Sequence, residues 1–245
     1  MKSFLRGWGH VLAGLRLIRQ PRLRRFVLIP LAVNLLVFGG LIGYAWHAFD
    51  ALMTQLLGWL PDWLDWLQYL LWPLFAGAVL LVVFYGFSVL ANLIAAPFNG
   101  VLAEAVERHL TGQSLEDTGG WKQILADILP SIWAEVQKLG YFLLWAIPFG
   151  LAFLIPGLNL AAPALWLAFS AWMLALEYLD YPMANHRLLF GVQRRTLHRH
   201  RMLGLGFGSG LLLLTMIPVV NFIAMPAGVA GATSLWVREL RGSEG

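Results

Sequence analysis

Cysteine is absent from this 245-residue chain, and charge is scarce: Asp, Glu, Lys and Arg together make up 12% of it. The first absence excludes disulfides, thiolate metal sites and thiol catalysis. The second excludes an ordinary water-soluble globule, since soluble domains carry about 25% charged residues. Also missing are any nucleophile–base pair and any His/carboxylate spacing that resembles a zinc motif, so no catalytic residue, metal or cofactor is expected. What fills the chain is apolar: 59% of residues are hydrophobic and the mean hydropathy is +0.70. An all-α integral membrane protein that is not an enzyme is the first expectation. The net charge of +4 points to cytoplasmic loops and anionic membrane lipids rather than to nucleic acid.

Two runs, 26–46 and 70–96, are long enough to cross a bilayer, since about 20 apolar residues span the hydrocarbon core. The first is longer than a signal-peptide core and should remain uncleaved. The 17 Lys and Arg sort sharply along the chain. Seven precede residue 26, none falls in 47–69, three lie in 98–140, five in 187–201 and two at the tail. The 47–69 connection holds Asp50, Asp62 and Asp65 instead. The positive-inside rule therefore places both termini in the cytoplasm and 47–69 outside. Two apolar regions remain, 141–178 and 203–237, each entering and leaving on one side. The arms before their breaks, 141–155 and 203–217, are 15 residues each, or about 22 Å, short of the ~30 Å core. They read as helical hairpins that penetrate part-way. Residues 1–25 read as an interfacial basic helix with the stripe Phe4, Leu5, Trp8, Val11, Leu12, Leu15 and Ile18. Residues 98–140 read as cytoplasmic amphipathic helices, with a second stripe from Trp121 to Val136 bent at Pro130. The polar loop around Thr111 to Gly120 divides nothing, so 1–245 is taken as a single membrane domain.

One pattern recurs. Asn92-Leu-Ile-Ala-Ala-Pro97 and Asn221-Phe-Ile-Ala-Met-Pro226 share Asn-x-Ile-Ala-x-Pro, and Asn159-Leu-Ala-Ala-Pro163 is a shortened copy. Ile-Pro precedes Asn in 155–159 and 217–221, and more loosely in 29–34. Interrupted helices in corresponding places point to a transporter binding site, although tight intramembrane turns would look the same. The copy at Gly157-Leu158-Asn159-Leu160 stands apart, because Gly157 has no side chain to block a ligand. Backbone N–H groups where a helix restarts suit an anion.

At these residues the chain resembles the CysZ sulfate permease family of bacterial inner membranes. The stretches that carry the likeness are Arg19-Gln-Pro-Arg-Leu-Arg-Arg-Phe-Val-Leu-Ile-Pro30, Asn92 to Gly100 with Leu102-Ala103-Glu104, and Ile155 to Leu160. The resemblance implies ATP-independent uptake of sulfate for cysteine biosynthesis. It also implies two long membrane helices plus two partly penetrating hairpins, in a homo-oligomer for which a hexamer is one option. It assigns sulfate binding to Gly157, Leu158, Asn159 and Leu160, and to Arg24 and Arg25. Those groups suit a proton-free dianion, which needs donors and, from arginine, forked N–H groups. Basic residues at that end of a first helix also serve as orientation signals, and Arg19 and Arg22 keep that reading. The second hairpin reads Ile217-Pro-Val-Val-Asn221 without glycine, so a second sulfate site is not expected there.

Other candidates weigh less. Glu104 and Glu107 could mark an ion path or proton relay, against a solvated helix face. Glu177 and Asp180 read as interfacial, and the stretch around His198 and His200 as a lipid-facing basic segment. Gly204-Leu-Gly-Phe-Gly-Ser-Gly210 carries two overlapping GxxxG spacings and predicts close helix packing. The alternative to transport is a membrane scaffold whose hairpins wedge one leaflet while its basic N-terminus binds lipid.

Overall fold

The computed structural model describes residues 1–59, 66–113 and 121–242. The side chains of 34, 56–57, 82–97, 121–129, 131, 218–219 and 222 fall outside that description. Asp62, Asp65 and most of the loop before Trp121 therefore lie outside the described residues, as do the side chains of most of the Trp121 stripe.

Eight α-helices account for almost all of the described chain: α1 (Lys2–Leu17), α2 (Arg25–Leu57), α3 (Leu67–Thr111), α4 (Trp121–Leu151), α5 (Ala162–Ala184), α6 (Phe190–Arg199), α7 (Arg201–Met216) and α8 (Pro218–Leu235). No strand occurs among the described residues. Two short 3₁₀ turns (Ala152–Leu154 and Leu158–Leu160) join α4 to α5, and a π-helical turn (Trp236–Leu240) follows α8. The chain divides into two compact units, Leu28–Phe98 and Met1–Val27 with Asn99–Gly245.

In the unit Leu28–Phe98, α2 pairs with the first part of α3 through aromatic rings. Phe49 stacks on Phe75 at 3.7 Å, and Trp46 meets Trp72 at 4.8 Å. Helix α2 runs on past residue 46 to Leu57, so Asp50 is helical rather than part of a loop. Helix α3 likewise continues through 92–97 to Thr111.

The other unit is a helical bundle. Helix α1 packs on α7 and α8, α5 packs on the same two helices, and α4 lies along α5. Lipid tails are as apolar as leucine, so burial from water cannot bring such helices together, and close van der Waals contact must. Glycine supplies it. A Cβ on Gly206 would collide with the Phe4 carbonyl of α1, and one on Gly208 with the Ala171 carbonyl of α5. The GxxxG stretch thus packs closely, as its spacing predicted. Gly7 and Gly14 answer from α1, against Leu203 and Ala227 backbone. This changes the reading of α1. Its protein-facing side is Gly7, His10, Val11, Gly14 and Leu17, whereas Leu5 and Leu12 of the expected stripe remain exposed. A pattern search weighted by side-chain hydropathy overlooks glycine, which packs by having none.

His10 enters this interface as a buried polar group. Its Nδ1 lies 3.1 Å from Ser234 Oγ and its Nε2 3.8 Å from Glu239 Oε1. Burial lowers its pKa below the ordinary 6.5; the opposing pull of Glu239 is weaker, and Arg238 and Arg6 add to the lowering. A lowered histidine pKa means that the unfolded chain binds the proton more readily. Stability is therefore expected to fall as pH drops below about 6.5. Thermal unfolding of the solubilised protein between pH 7.5 and 5 should show that loss, and His10→Gln should flatten it. An unchanged profile in the variant would remove His10 from the account.

The hairpin tips share one cause. Ile155 and Ile217 both turn extended, with ψ of 118° and 110°, and each precedes a proline. Proline disfavours helical geometry in the residue before it. The Asn-x-Ile-Ala-x-Pro pattern is not the break: residues 221–226 lie within α8, and 92–97 within α3. Ile-Pro is not sufficient either, since Pro30 stays inside α2. In the first hairpin the apolar arms are Ile132–Leu154 and Ala162–Ala184, each 23 residues and each long and apolar enough to cross a membrane. They exceed the 15-residue count because α4 runs unbroken through residue 141. The second hairpin keeps shorter arms, 16 residues in α7 and 18 in α8.

Candidate anion site

The tip of the first hairpin is built by three consecutive irregularities. Ile155 is extended, Pro156 follows, and Gly157 takes φ +85° and ψ −43°. That geometry is near the γ-turn, a conformation strained for any residue with a Cβ. The chain then makes one 3₁₀ turn, Leu158–Leu160, with the Asn159 amide nitrogen 3.0 Å from the Ile155 carbonyl. Helix α5 starts at Ala162 with Pro163 in its first turn, and no side chain caps either the 3₁₀ turn or α5. Gly157 N–H has no backbone acceptor among the described residues, and the Asn159 amide no side-chain partner. Leu158 and Leu160 are exposed, and nothing stands within 4 Å of where a Gly157 Cβ would be. Glycine is required there by φ, not by crowding from the chain itself. Together these features present N–H donors and the positive end of α5 to an accessible surface, which suits an oxyanion.

Arg24 and Arg25 stand at the start of α2, both exposed, with the Arg25 guanidinium 4.8 Å over the Phe26 ring. No hydrogen bond or ion pair among the described residues joins either arginine to 157–160. Leu23, next to Arg24, belongs to the buried core that holds Leu176 and Leu179.

Glu104 and Glu107 separate. Glu104 pairs with Arg108 one turn on. Glu107 is 2% exposed, so for it a solvated helix face is incorrect. Its oxygens lie 2.9 Å from His186 Nε2, and Arg241 Nη1 reaches one of them at 3.2 Å. The sequence reading missed a second tie at the base of the first hairpin. Buried Lys138 contacts Glu135 at 2.9 Å, Glu177 at 3.2 Å and Asp180 at 2.7 Å. Gln193 Nε2 holds the other Asp180 oxygen at 2.6 Å. Glu177 and Asp180 are therefore paired across the hairpin. A lone lysine entering an apolar arm was the available signal.

Comparison with known proteins identifies the family. The chain is 45% identical over 236 residues to the sulfate transporter CysZ of Pectobacterium atrosepticum, covering 96% of this chain and 86% of that one. It is 46% identical over 240 residues to the sulfate transporter CysZ of Pseudomonas fluorescens, covering 98% and 96% respectively. The protein of the same name from Pseudomonas aeruginosa is 46% identical over 226 residues, 92% of each chain. None of these names supports a membrane scaffold. With residues 10–226 also matching the profile described as sulfate transporter CysZ/etoposide-induced protein 2.4, this helical, apolar chain belongs to that family.

Proposed function

We propose that this protein takes up sulfate across the bacterial inner membrane as an ATP-independent permease that feeds cysteine biosynthesis. The observation that carries the reading is the uncapped helix restart at Gly157, where a tetrahedral dianion would meet backbone N–H groups, the Asn159 amide and the positive end of α5. Leu158 and Leu160 supply main-chain groups and an apolar wall. Arg24 and Arg25 form a second station that draws the anion toward the protein with permanent charge. Several modest donors suit transport better than a deep charged cage, because the ion must leave again. Glu104 and Glu107, each held by a cation, act as structural ties rather than as an ion path. Both termini face the cytoplasm, anionic lipids surround the basic ends, and copies of the chain assemble as a homo-oligomer.

Isothermal titration of sulfate into the purified protein tests the site. Saturable binding is expected, with chloride inert. Asn159→Ala and the pair Arg24→Ala/Arg25→Ala should each weaken it about tenfold or more, the size expected for losing a hydrogen bond to a charged partner. Full affinity in both variants, with folding intact, would end the assignment.

A further inference from the structure

A groove of about 430 Å³ lies between α1 and the start of α7, lined by Met1, Phe4, Leu5 and Met202. Its walls are mostly apolar, and exposed cations stand next to its lining residues in the chain. Lys2 and Arg201, the chain neighbours of Met1 and Met202, are both exposed, and neither pairs with a carboxylate among the described residues. Arg201 also opens α7, whose N-terminus has no side-chain cap: His200 turns its Nδ1 back to the Thr196 carbonyl at 3.1 Å. Beside it, α6 buries Phe190, Gln193, Thr196 and Leu197 and leaves Arg194 and Arg195 exposed. No Asp or Glu occurs anywhere in 181–238.

An apolar slot whose lining residues Met1 and Met202 are followed and preceded in the chain by exposed cations matches a molecule with a hydrocarbon chain and an anionic head. We propose that this groove binds an anionic phospholipid, one acyl chain against Leu5 and Met202, its phosphate held by Arg201 and Lys2. A free phosphate would use only the rim, and a zwitterionic lipid would forfeit the charge. The site is separate from the break at Gly157, so it stands whether or not that break binds sulfate.

The test uses purified, delipidated full-length protein and three probes: dioleoyl phosphatidylglycerol, dioleoyl phosphatidylcholine and glycerol 3-phosphate. Native mass spectrometry or titration should show phosphatidylglycerol bound in preference to phosphatidylcholine, and glycerol 3-phosphate only weakly. Lys2→Gln/Arg201→Gln should cut phosphatidylglycerol affinity about 25-fold, from about fivefold for each cation lost at a membrane surface. Met202→Trp, which fills the groove from an exposed position, should weaken both lipids; Leu5→Trp serves if that variant misfolds. Sulfate affinity should not change in any of them. Equal binding of the two lipids, glycerol 3-phosphate binding as tightly as phosphatidylglycerol, or lipid binding indifferent to these substitutions would overturn the proposal.

Discussion

Removing both partners from Glu107, by His186→Ala with Arg241→Ala, should destabilise the protein by about 3–5 kcal/mol, the usual loss when a buried charge is left alone. The carboxylate is 2% exposed, whereas the side chains of its partners are 22% and 43% exposed. The penalty therefore falls on the acid. Glu107→Leu should cost much less, because an apolar residue of similar volume needs no partner and the two freed partners reach water. Melting of the solubilised variants gives the order directly. A greater loss in Glu107→Leu than in the double variant would mean that Glu107 does something beyond tying elements together. The tie is broad: through Arg241, residues after α8 hold the end of α3, while Glu239 holds Arg6 of α1 at 2.9 Å.

Gly157→Ala should weaken sulfate binding about tenfold or more while leaving the bundle folded. A Cβ at φ +85° meets no neighbour, so the whole effect is backbone strain of about 1–3 kcal/mol. A tip that relaxes to escape the strain re-aims the donors of 157–160, and each 1.4 kcal/mol lost is tenfold in affinity. Gly112 provides the control, since it carries φ +73° with nothing within 4 Å of its own Cβ position. Gly112→Ala should cost comparable stability and leave sulfate affinity alone. Wild-type binding by Gly157→Ala would detach the break from the anion; equal loss in both variants would reduce it to a general folding effect.

The membrane class, the helical content and both hairpin turns were legible in the residues, because each follows from a short-range rule. Apolar length decides what can lie in lipid, and proline decides where Ile155 and Ile217 leave the helix. Gly157 was legible for a related reason, since few other residues reach its φ. The Asn-x-Ile-Ala-x-Pro pattern misled, because α8 runs unbroken through proline at 226, as helices in lipid tolerate. The face of α1 was misplaced because hydropathy is blind to the fit of Gly7 and Gly14 against other backbones. Glu107 looked like any acid on a helix face, and its partners lie 79 and 134 residues away. Local preference settles where the chain turns and what it can be buried in. Which carboxylate meets which cation, and which glycine meets which carbonyl, depends on helices brought together from distant parts of the chain, and only the tertiary structure decided that.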